Sequence, residues 1–131
     1  MRSVIAAVTL IAATALSVQA ADHAARALDR EVYMVAKDPT VLDAVRKLMP
    51  AEAFAVWSKW AKNGVSAPME ERNGVVFGFG CQPGNCSTVH GRLAFDHDGR
   101  VWASLTEDGE NTRYFGNPPE AVKPLLTVGT N

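Results

Sequence analysis

Apolar residues in this chain recur at helical spacing up to residue 64 and at every second position from residue 73 onward. That change of period limits the fold more than any other feature of the sequence, because 3.6-residue and two-residue patterns bury their faces in different ways. Val41, Leu42, Val45, Leu48 and Met49 form one stripe, with Asp43, Arg46 and Lys47 outside it. The pattern predicts a helix over residues 40–49, capped by Asp38 or Thr40, admitting Pro39 in its first turn and stopped by Pro50. A second helix is expected over 51–62, with Phe54, Trp57 and Ala61 at helical spacing and Asn63-Gly64 as its end signal. From Asn73-Gly74 the alternation Val75, Phe77, Phe79 against Val76, Gly78, Gly80 predicts a strand running into Cys81. Strands over 88–96 and 101–106 follow, joined by the hairpin signal Asp98-Gly99. Leu93 and Phe95 share one face, as do Val101, Ala103 and Leu105. A turn at 107–110 leads to a short strand at 111–115. Asn117-Pro118-Pro119-Glu120 reads as a capped helical turn, with a loose C-terminus after it. Residues 24–35 satisfy both periods and stay open between helix and strand. Helices followed by an antiparallel meander make an α+β domain, with the helical hairpin over one face of the sheet and the other face partly open to water.

The N-terminus places this domain in a compartment. Met1-Arg2 is a short basic start, and residues 4–16 are an almost unbroken apolar run. Val18-Gln19-Ala20 has the small-x-small form of a signal-peptidase site. The alternative, a lone membrane anchor, requires about 20 apolar residues, more than this run supplies. Residues 1–20 are therefore expected to be a secretory signal peptide and 21–131 a single domain in the periplasm, with no membrane association after cleavage. No cysteine follows the apolar run, so a lipid anchor is not expected. Once Arg2 is removed, twelve basic side chains face fourteen acidic ones, a net charge of −2. No basic patch marks a nucleic-acid partner.

Secretion gives meaning to the only two cysteines, Cys81 and Cys86, which enclose Gln82-Pro83-Gly84-Asn85. Four intervening residues are too many for a thioredoxin-type redox pair. His23, His90 and His97 form no tight cluster to complete a metal site with them, so neither zinc nor another cofactor is expected. In an oxidising compartment the pair reads as a disulfide. A ring this small contributes roughly 2 kcal/mol by chain entropy and holds little of the fold. Its effect is local. Proline at the second turn position and glycine at the third suit a type II turn. The bridge, the proline and the turn together make a rigid polar tip, which serves either as a stapled strand connection or as a binding loop.

Enzymatic alternatives have little support. Ser87 lacks a base and acid at motif spacing. His90 is expected at the surface or half-buried in a strand, and would need a pocket with a carboxylate or hydroxyl partner to act as a base. His97, between Asp96 and Asp98, reads as an exposed turn residue. Glu70-Glu71 and the Glu107/Glu110 pair read as solvated loop carboxylates, Trp57 and Trp60 as core, and Gly78 and Gly80 as sites of close packing or a bulge.

The leader, the segment Ala55-Val56-Trp57 ahead of the loop, the strand entering Cys81, the Cys-x-Pro-x-x-Cys loop and the hairpin strands after it resemble the Ivy family, periplasmic inhibitors of vertebrate lysozyme in Gram-negative bacteria. The resemblance covers about residues 32–115. It implies a small antiparallel sheet with helices on one side, no catalytic activity, and a stapled loop that plugs the active-site cleft of a c-type lysozyme. On that reading Gln82, Pro83, Gly84 and Asn85 would form the target-binding loop. The usual family insert is a variable residue, Pro, His, then Asp or Asn. Cys81, Pro83, Asn85 and Cys86 fit it. Gly84 stands where the histidine is expected, and that ring would reach the lysozyme's catalytic carboxylates. Its absence weakens the expected inhibition and leaves a second reading open, an Ivy-like protein that binds a lytic transglycosylase or another periplasmic partner.

Overall fold

A computed structural model describes residues 23–127 of the chain. The predicted signal peptide, residues 1–20, lies outside the described residues. Helix α1 is described over residues 23–27, followed by α2 (Val32–Ala36), α3 (Pro39–Arg46) and α4 (Ala51–Asn63). The strands are β1 (Val65–Ser66), β2 (Glu70–Arg72), β3 (Val75–Cys81), β4 (His90–Asp96), β5 (Val101–Thr106) and β6 (Thr112–Phe115). A 3₁₀ turn, Lys123–Leu126, ends the described chain. The expected α+β architecture is present.

The ambiguous segment 24–35 resolves into two short helices. They are separated by Asp29 at φ 68° and by Glu31, which bridges to Pro68. Helix α3 begins as expected, with Asp38 accepting from the Thr40 amide at 2.9 Å and Pro39 in the first turn. It ends at Arg46 rather than 49. Pro50 accounts for the early end: its ring would collide with the carbonyl four residues back, and it biases Met49 away from helical backbone.

The sheet is antiparallel throughout, in the order β1-β3-β4-β5-β6, with β2 also paired to β3. The short strands β1 and β2 share one edge of β3. Both were missed as strands in the sequence because they are too short to show an alternation, and β2 is exposed at every residue. Val76, Leu93, Phe95, Ala103 and Leu105 face the helices, where Val32, Val45, Ala53, Trp57 and Ala61 complete the main core.

Glycines bring the helices close to the sheet. A Cβ at Gly80 would lie 2.7 Å from the Trp60 carbonyl oxygen, and one at Gly91 would lie 2.7 Å from the Trp57 ring. Asn63-Gly64 ends α4 as expected, but Gly64 does so without a left-handed backbone, at φ −83°. It is needed for space instead: a Cβ there would fall 2.1 Å from the Cys81 carbonyl oxygen.

The second face of the sheet departs from expectation. The face was expected partly open to water beside a loose C-terminus; the C-terminal chain instead packs back on part of it, in a smaller core of Phe77, Ala94, Trp102, Val122, Leu125 and Leu126. The returning chain is fastened by polar groups as well. Buried Ser104 donates to the Leu126 carbonyl at 2.6 Å, and the Tyr114 and Thr127 hydroxyls lie 2.6 Å apart. The helical turn read at 117–120 begins later, with the Val122 and Lys123 amides both donating to Pro119.

Candidate functional site: the stapled loop

Strands β3 and β4 run in register from Val75–Asp96 at one end to Cys81–His90 at the other. The stapled loop is the connection beyond that last pair. Cys81 and Cys86 are disulfide-bonded with their Cα atoms 4.8 Å apart. Inside the ring the Asn85 amide donates to the Gln82 carbonyl at 2.9 Å, closing a four-residue turn. Gly84 has φ +76°, the left-handed value that the third position of a type II turn requires. The base is held by three further backbone bonds: Gln82 N–H to Val89 O, and the Thr88 and Val89 amides to Asn85 O, each 3.0 Å. Rigidity therefore comes from a hydrogen-bonded frame as well as from the bridge and the proline.

Pro83, Gly84 and Asn85 are exposed, and a Cβ built at Gly84 would meet nothing within 4 Å. The tip carries no charge. The Asn85 side-chain amide donates to the Gln82 side-chain carbonyl at 2.9 Å, so the two polar side chains of the insert satisfy each other in part. The free polar groups at the apex belong to the backbone: neither the amide nor the carbonyl of Gly84 has a partner among the described residues. The four residues marked in the sequence form one turn, with Gln82 half-buried and Pro83, Gly84 and Asn85 exposed.

A neighbour of the loop was not visible in the sequence. The β5–β6 turn, read only as a turn at 107–110, docks against the loop's second leg. The Gly109 amide donates to Thr88 O at 3.0 Å. Asp108 shapes this turn, accepting from the Glu110 and Asn111 amides and from the Asn111 side chain. Those bonds hold its carboxyl down to about 2. Arg113 on β6 ties the turn to α4 through Glu52 at 2.7 Å and lies 3.8 Å from Glu107. No local pattern could have revealed the Gly109–Thr88 contact, because it joins residues 21 positions apart.

His90 also differs from expectation. It is 2% exposed, rather than at the surface or half-buried, and neither ring nitrogen has a hydrogen-bond partner. No carboxylate or hydroxyl of the kind a catalytic role would need is hydrogen-bonded to it among the described residues. Burial, followed by the charge of Arg92, depresses its pKa to about 4. His97 is exposed as expected, with Nε2 3.2 Å from Glu71. Trp57 is fully buried, its indole N–H donating to Arg92 O at 3.1 Å, while Trp60 is half-buried beneath Lys59. Ser87 and the carboxylates of β2 are exposed. Among the described residues no three His, Cys, Asp or Glu side chains converge as a metal site, and no helix is long and apolar enough to cross a membrane.

Two shallow clefts of about 250 and 360 Å³ lie at the opposite end of β3, against Asn73, Val75 and Val122. Around Cys81–Cys86 neither cleft is found, only an exposed turn with open space about Gly84. No curated protein and no solved structure matches the chain. Residues 40–128, which contain the α3–α4 hairpin, the sheet and the stapled loop, match the family model described as Inhibitor of vertebrate lysozyme (Ivy), and the chain belongs to that family.

Proposed function

We propose that this protein is a periplasmic inhibitor of a c-type lysozyme and acts by inserting residues 82–85 into the enzyme's active-site cleft. The observation that carries the reading is the exposed, disulfide-closed turn at Pro83–Asn85, on a chain that belongs to an inhibitor family. Inhibition is by occlusion. The loop is already ordered by its bridge and its four backbone bonds, so little conformational entropy is lost on docking. Because Gly84 has no side chain, its exposed amide is the donor nearest the apex, and a backbone N–H can bond a carboxylate in the cleft. A glycine tip lacks the second donor and the positive charge of an imidazolium. A hydrogen bond to a charged group contributes about 1.5–3 kcal/mol, so inhibition should be roughly one to two decades weaker than with histidine in that place.

Titration of the disulfide-bonded protein against a c-type lysozyme in a cell-wall lysis assay tests this. Inhibition at micromolar concentration is expected. Full lysozyme activity at that concentration would refute the activity while leaving the family assignment untouched.

The uncharged tip, with Gln82 and Asn85 bonded to each other, favours one other reading. The target would be a lytic transglycosylase, whose cleft holds the same glycan and whose fit need not depend on a histidine. The same titration against a purified transglycosylase separates the two, according to which enzyme is inhibited at the lower concentration.

A further inference from the structure

We infer that His90 is an acid-responsive switch at the root of the stapled loop: protonation of its buried ring opens the loop's hydrogen-bonded base ahead of global unfolding. The inference concerns the loop's own stability and does not depend on what the loop binds.

His90 is the first residue of β4 and stands opposite Cys81 on β3 and Thr106 on β5. Its ring is 2% exposed, and both nitrogens lack partners among the described residues. A neutral imidazole can be held this way at the cost of one unbonded N–H. An imidazolium would bury a full charge with two unbonded donors.

The surroundings offer no compensation. On the same face of β4 the next side chain is Arg92, itself 6% exposed, with its Nε unpartnered and its Nη1 only 3.5 Å from Leu125 O. Across the sheet the register sets Phe79 and Cys81 of β3, Ser104 and Thr106 of β5, and Thr112 and Tyr114 of β6 on this side. The Thr106 and Thr112 hydroxyls bond each other. Cys81 is in the disulfide and does not titrate. The carboxylates of the adjoining 107–110 turn and of the returning C-terminal chain are engaged elsewhere: Glu107 lies by Arg113, Asp108 is bonded within its own turn, and Glu120 is paired with Lys123. The charge acting on the ring is that of Arg92, which repels a second positive charge.

Position decides which part of the molecule yields. His90 is at the end of a strand, directly after Val89, whose amide and carbonyl make two of the bonds at the loop base. Releasing the pair Cys81–His90 and those bonds hydrates the ring without disturbing Leu93 or Phe95. In the opened form His90 titrates at its ordinary 6.5, and in the closed form at about 4. Above pH 6.5 neither form takes up the proton. As the pH falls from 6.5 toward 4, the open form alone binds it, so the closed form loses stability across that window.

Amide hydrogen exchange on the disulfide-bonded protein, corrected for the intrinsic pH dependence of exchange, tests the proposal. The Gln82 and Val89 amides should exchange through an opening of lower free energy than those of Leu93 and Leu105. Their protection should fall on the order of twentyfold between pH 7 and pH 5. In H90Q that fall should disappear. Unchanged protection at Gln82 and Val89, or exchange only with the core amides, would overturn the proposal. If H90Q does not fold, the wild-type ring signal decides: His90 should not titrate above pH 5, and a midpoint between 6 and 7 would overturn it.

Discussion

Gly84 carries two conflicting demands. The turn needs a positive φ, which glycine adopts without penalty, whereas the proposed insertion into a lysozyme cleft would gain from a side chain that bonds the enzyme's carboxylates. Replacing it by histidine adds atoms into open space, since nothing lies within 4 Å of the new Cβ. It also forces a non-glycine residue to φ +76°, at a cost of roughly 1–2 kcal/mol. Gly84→His should therefore lower the thermal midpoint by several degrees, while tightening lysozyme inhibition about tenfold or more. Parallel melting and lysis-inhibition curves read both effects. Unchanged inhibition in a folded variant would show that the tip is not the contact. The tip residues, their turn type and the bridge were all legible in the sequence, because a disulfide ring and a Pro-Gly turn are local devices. The burial of His90 was not, because a strand residue's exposure depends on what covers its face.

The contact between α4 and β3 shows why element-level reading succeeded in outline and failed in detail. The stripe Phe54, Trp57, Ala61 identified the buried side of α4: Trp57 and Ala61 are in the core, and Phe54 is partly buried against it. How near that helix approaches the sheet was not legible, because it depends on glycines that belong to other elements. Gly80 allows the Trp60 carbonyl and Ala61 to lie against the backbone of β3. A methyl group there would meet backbone, which cannot rotate away. Gly80→Ala should destabilise the domain by about 1–3 kcal/mol through overpacking, measured as a lower urea midpoint with an unchanged slope. Unaltered stability would mean that α4 can move off the sheet freely. The same contact explains why Gly64 keeps an ordinary φ: the chain leaving α4 runs directly beside Cys81, so close packing constrains it and a cap does not.

Over the whole molecule, the sheet is a layer covered on both sides, with helices on one face and the returning C-terminal chain on part of the other. Leu126 is fully buried in the second core, and its carbonyl accepts from Ser104. Leu126→Ala should cost about 2–5 kcal/mol, and denaturant unfolding followed by Trp102 fluorescence would measure it. A loss below 0.5 kcal/mol would return this segment to the loose tail expected from the sequence. The second face did leave a trace: Phe77, Ala94 and Trp102 are apolar at positions that a water-facing strand would fill with polar side chains. What the trace lacked was the identity of the cover, since Leu125 and Leu126 lie more than 20 residues beyond most of the strands they pack on. The sequence by itself determined the α3–α4 hairpin followed by strands β3 to β6, the face these present to the main core and the stiffness of the Cys81–Cys86 tip, because periodicity, proline, glycine and ring closure act over a few residues. Only the tertiary structure decided that the C-terminal chain covers part of the second face, that His90 is buried without hydrogen-bond partners and that the 107–111 turn props the loop. Those features depend on contacts between segments far apart in the chain, which no local pattern encodes.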